Sequence, residues 1–116
     1  MDLQDITKTL KHHLIFLKHK YEMNEPPASM RDKAFFQQVK EETNPIYDLL
    51  EEWEALGLQT VKERKVNVHP HQITSTKENM ELVLLHSYYV DVRRKRYMEL
   101  YNSITYIFDQ LIEELQ

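Results

Sequence analysis

Residues 80–108 read MELVLLHSYYVDVRRKRYMELYNSITYIF, and whether this stretch is one helix or two decides the fold. From Ser75 to Gln116 there is neither glycine nor proline. A single helix of that length would run about 60 Å and overhang anything packed beside it. The apolar phase argues for a break. Leu82, Leu85, Tyr89 and Val92 form one helical stripe. Tyr97, Tyr101, Ile104, Phe108, Leu111 and Leu115 form another. The five-residue step from Val92 to Tyr97 fits neither, and RRKR between them offers nothing apolar. A tight turn near Asp91–Lys95 is therefore expected, although it places Arg93–Arg96 at a helix N-terminus, where the dipole disfavours cations.

Working back towards the N-terminus, Leu3, Ile6, Leu10, Leu14, Leu17 and Tyr21 step by three or four residues and mark a first helix over about 2–22. Pro26 and Pro27 forbid its continuation. A second helix is expected over about 29–56. Ser29 stands in the capping position, with Asp32 three residues later. Its apolar positions, Phe35, Val39, Ile46, Leu49, Trp53 and Leu56, keep phase across Pro45. That favours a continuous helix with a kink over a fresh start capped by Asn44. Gly57, the one glycine, follows as a left-handed C-terminal cap. Residues 58–74 show no helical stripe and read as a long extended crossover. Third and fourth helices then cover about 75–91 and 94–115. The expectation is an all-α, up-and-down four-helix bundle with a long crossover between helices 2 and 3, forming one domain over 1–116.

Composition narrows the function. The 116 residues are 41% hydrophobic and 29% charged, a balance suited to amphipathic helices. A net charge of −4 argues against a general nucleic-acid binder. The absence of cysteine excludes disulfides, thiol catalysis and cysteine-based zinc sites. One glycine cannot build a phosphate-binding loop or a nucleophile elbow. The first twenty residues carry acids where a signal peptide is basic, and LIFL is too short to span a membrane. A cytoplasmic protein without membrane contact is expected.

Few residues point to chemistry. His69 and His71 flank Pro70, and in an extended segment residues two apart share a side, so the pair offers two metal ligands. No further Cys, Asp or Glu pair stands nearby to complete a site. None of the six histidines follows a glutamate by three residues, so the di-iron signature of helical bundles is absent. His19 with Glu22 is the reverse spacing and weak. Glu51, Glu52 and Glu54 flank Trp53 as a solvated face rather than a catalytic pair. KERK (62–65) and RRKR (93–96) are the basic spots. Tyr88, Tyr89, Arg93, Arg94 and Arg96 make the one corner with interaction character.

The stretches NPIYDLLEEWEALG (44–57) and HPHQITSTKENMELVLLHSYYVDVRRKRYMELYNSITYIF (69–108) resemble the YppE-like family of small proteins from Bacillus-type bacteria. The resemblance implies a four-helix bundle and a cytosolic location. It brings no catalytic residues and no established molecular function, and it favours a structural role for HPHQI. The expectation is a non-enzymatic protein-interaction or regulatory module with no cofactor and no metal. A metal- or small-ligand-binding bundle using His69, His71 or His19 is the alternative. The partner expected is a protein, and the sequence leaves oligomeric state open.

Overall fold

The computed structural model describes residues 1–116 as four helices: α1 (Leu3–Met23), α2 (Lys33–Lys62), α3 (Pro70–Tyr89) and α4 (Arg94–Glu114). They form an up-and-down four-helix bundle. Helices α1 and α3 touch across its short diagonal, while the backbones of α2 and α4 do not meet. Trp53 and Phe108 fill that longer gap, edge to face with centroids 5.5 Å apart.

The α1 stripe is buried as the spacing requires, from Leu3 to Tyr21. Asp2 caps the helix by accepting the Asp5 N–H at 2.8 Å. Asp32, not Ser29, caps α2, accepting the Phe35 N–H at 3.1 Å. The helix then runs through Pro45 without interruption. Trp53 is fully buried, and its indole N–H donates to Thr7 Oγ1 at 3.0 Å. The Thr7 hydroxyl passes its own proton to the Leu3 carbonyl at 2.6 Å. A buried indole N–H therefore finds its partner across the α1–α2 contact.

Gly57 is not a cap. It lies buried inside α2, where an added Cβ would come 3.1 Å from Ile73 Cγ2. Its role is the close approach of α2 to α3. The helix continues to Lys62 and ends in a Schellman motif. Lys65 N–H bonds the Thr60 carbonyl at 3.2 Å and Arg64 N–H bonds that of Val61 at 2.9 Å. Arg64, at φ 59°, takes the left-handed position expected of Gly57.

Because α2 runs on and α3 starts at Pro70, the expected crossover of 58–74 contracts to residues 63–69. Val66 and Val68 turn into the core, and Asn67 between them is exposed. Glu114 at the end of α4 accepts the Asn67 N–H at 2.8 Å. The histidine-proline stretch is a helix start. Pro70 occupies the first helical position, where its missing N–H is harmless. Gln72 Oε1 accepts the His69 N–H at 2.9 Å, one half of a capping box.

The α3 stripe differs most from the sequence reading. The buried residues are Ile73, Thr76, Met80, Val83, Leu84, Ser87 and Tyr88. Leu82 and Leu85 face solvent at 39% and 42% exposure, while Tyr89 and Val92 are half-buried. Thr76 and Ser87 hold core positions; the Ser87 hydroxyl is satisfied locally, donating to the Val83 carbonyl at 2.6 Å. The turn between α3 and α4 falls where the phase break puts it, with Val90 left-handed at φ 50°.

Candidate functional site

The corner named by the sequence lies at the α3–α4 turn, and most of it is structural. Tyr88 is buried, with the Lys20 ammonium 4.6 Å above its ring. Burial, followed by the neighbouring Glu42 carboxylate, pushes its phenol up to about 12. Tyr89 is half-buried, edge-on to Phe35 at 5.2 Å. Tyr97 is fully buried and stacked on Tyr21 with centroids 4.0 Å apart. Its hydroxyl shares a 2.7 Å hydrogen bond with Ser87 Oγ. Burial pushes the Tyr97 phenol to about 12, against the opposing pull of that hydrogen bond. The Tyr21 hydroxyl donates to the Val92 carbonyl, so α1 is bonded to the turn.

The arginines divide. Arg94 reaches across to Glu22 at 2.6 Å, and that hydrogen bond holds the Glu22 carboxyl below its ordinary value. Arg96 sits 3.8 Å from Glu99 one turn ahead. Arg93, at the cap position of α4, is exposed. The two acidic partners offset the unfavourable placement of cations at this N-terminus. The structure thus removes Tyr88 from any accessible surface, commits Arg94 to α1, and leaves Arg93 and Arg96 at the tip.

The other candidates are likewise part of the architecture. His71 Nε2 lies 3.4 Å from Ser75 Oγ, one turn along its own helix. His19 is exposed on α1, and its neighbour Glu22 is the Arg94 partner. No three His, Asp or Glu side chains converge as a metal site would need. Glu51 and Glu54 both reach Lys77 of α3, at 2.7 and 3.5 Å, and the Glu51 hydrogen bond raises the lysine above its ordinary value. In KERK, Lys65 pairs with Glu63 at 2.9 Å beside the Schellman turn.

One feature has no counterpart in the sequence reading. Where α3 leaves the tyrosine corner behind, its seam with α4 opens into a groove of about 450 Å³. Gln72, Ser75 and Asn79 line it from α3; Asn102, Ser103 and Tyr106 line it from α4. Thr76 and Ile107 form the floor side, both buried. Tyr106 is 68% exposed. Apart from that phenol no ionisable side chain lines the groove. Its only sequence signal is weak: Asn and Ser at mid-helix positions, where both are mediocre helix formers.

The sequence matches the bacterial domain of unknown function DUF1798 over residues 7–115. No curated protein is significantly similar in sequence. Among solved structures, the crystal structure of protein yppE from Bacillus subtilis superposes with a TM-score of 0.78 at 22% identity, covering 97% of this chain and 91% of that one. The solution structure of the same protein gives 0.74 at 22% identity, with 97% and 90% covered. At that identity the likeness establishes the fold, a four-helix arrangement shared almost end to end. No helix is long and apolar enough to cross a membrane. The chain belongs to the bacterial DUF1798 family, and the YppE-like resemblance of its sequence extends to its fold.

Proposed function

We propose that the protein is a non-enzymatic interaction module that docks a protein partner on the outward face of α3. The observation behind this reading is the position of Leu82 and Leu85. The helix completes its core side without them, yet they lie one turn apart on its solvent side. This leucine pair lies outside the buried stripe of α3, and apolar surface left on a helix face gains free energy when a partner's apolar side chain covers it. Glu78, on the same side, is exposed, and Glu81 is half-exposed on the flank towards α2. The partner segment that fits presents an apolar anchor flanked by basic residues.

The test is parallel capture with tagged wild type and a Leu82→Glu/Leu85→Glu variant after mild cross-linking in the source cells. Both substitutions are at exposed positions, so circular dichroism is expected to be unchanged. The reading expects a near-stoichiometric protein retained by wild type and lost by the variant. Equal recovery by both, or no partner on wild type, would overturn it.

A further inference from the structure

We propose that the groove between α3 and α4 holds an extended peptide segment by its main chain. This rests on the interaction reading above and names the form of the docked segment. The first argument is chemical. The protein's own bonds in the groove involve Gln72, which accepts from the His69 N–H, and Ser75, which meets His71. Asn79, Asn102, Ser103 and Tyr106 keep their donors and acceptors free of intramolecular partners. A primary amide presents both a carbonyl acceptor and an NH₂ donor. That is the complement of a peptide unit, which presents one of each. Charged ligands find no counter-charge here, because the groove is lined by Gln, Ser, Thr, Asn, Tyr and Ile side chains alone.

The second argument is spacing. Ser75 and Asn79 are one turn apart on α3, as are Asn102 and Tyr106 on α4, a rise of about 6 Å. An extended chain advances about 6.6 Å every two residues, and alternate residues face the same way. A peptide laid along the seam therefore meets a polar side chain at every second residue on either wall. The near match holds over a groove this short. The third argument is continuity. Leu82 stands one turn beyond Asn79 on α3 and is exposed, so an apolar side chain leaving the groove reaches the docking face directly. Main-chain groups are common to every peptide, so selectivity in this groove rests on the adjoining apolar contacts.

The experiment pans a linear dodecapeptide phage library on the full chain, with counter-selection on the bare support, and then compares wild type with an Asn79→Ala/Asn102→Ala variant. Enriched peptides are synthesised and measured by fluorescence anisotropy and by amide chemical-shift mapping. Alanine is the better helix former, so the variant is expected to fold. The proposal expects shifts confined to residues 72–85 and 102–107, and binding at least tenfold weaker to the variant. It also expects a comparable loss when alternate peptide nitrogens are methylated. No enrichment on the wild-type chain, equal binding to both proteins, or indifference to methylation overturns it. So does maltotriose shifting the groove residues where no peptide does, which would make the ligand a neutral glycan. If groove variants fail to matter while Leu82→Glu/Leu85→Glu still abolishes partner capture, the docking face stands and the groove assignment alone falls.

Discussion

Two stretches of one helix–helix seam differ in how they treat polar groups. At the turn, α3 and α4 close around Tyr21, Ser87 and Tyr97, where rings stack at 4.0 Å and the buried Ser87 and Tyr97 hydroxyls meet at 2.7 Å. Lower down, the same two helices leave asparagine and serine side chains at an open groove. Buried polar groups must be satisfied, or they cost more than their bonds return. Exposed ones need no partner and remain available. The turn is built for stability, and the groove gives up some helix propensity while leaving hydrogen-bonding capacity free.

The largest effect that would break the comparison is at the turn. Tyr97→Ala removes a fully buried ring and its stacking partner contact, and is expected to destabilise the fold by about 3–5 kcal/mol in urea unfolding. A loss below about 1 kcal/mol would mean the corner is not the structural end of the seam.

Next in size is alkaline pH. Tyr88 and Tyr97 hold their protons to about 12, against an ordinary value of 10. The unfolded chain ionises first, so their contribution is complete below pH 10 and is lost as pH rises through about 12. Unfolding midpoints should fall across that window by more than the exposed tyrosines explain, and Tyr97→Phe should flatten the fall. At the acid side His13 works in the opposite sense. Burial, and then His12, lower it from 6.5, so its contribution is present above 6.5 and is lost as pH falls through its folded value.

A smaller effect tests the packing that sets helix spacing. Gly57→Val drives a branched side chain into Ile73, which an added Cβ already meets at 3.1 Å, and is expected to cost about 1–3 kcal/mol. The smallest effect sharpens the contrast from the groove side. Asn102→Ala and Ser103→Ala are expected to leave thermal stability unchanged or raise it by up to about 0.5 kcal/mol each, since nothing is unpaired and helix propensity improves.

These two regions were unequally legible in the sequence. The turn could be read because a phase break and a basic, non-apolar run coincide at 91–95. Helix α1 could be read because every core position but Thr7 is a large apolar residue at regular spacing. In α3 the same logic picked the wrong face. Thr76 and Ser87 occupy core positions while Leu82 and Leu85 do not, so hydrophobicity alone rotates the helix. Gly57 followed an amphipathic run and looked like a cap, but the requirement it meets is a tertiary one set by Ile73. Pro70 looked like part of a crossover because proline bars a helix interior. At the first helical position it does no harm. The groove was illegible for a different reason. Asn79, Asn102 and Ser103 lie on two helices, have no local spacing rule, and come together only through the antiparallel packing of α3 on α4.

The measurement that tests the account most directly is made on one variant, Asn79→Ala/Asn102→Ala/Ser103→Ala. Urea unfolding and binding of a selected peptide are followed on the same preparation. The account predicts stability equal to or above wild type together with loss of at least nine-tenths of the binding affinity, a change of about 1.4 kcal/mol. A stability loss above 1 kcal/mol, or peptide binding at wild-type strength, would contradict it, because the groove residues would then serve the fold or nothing at all.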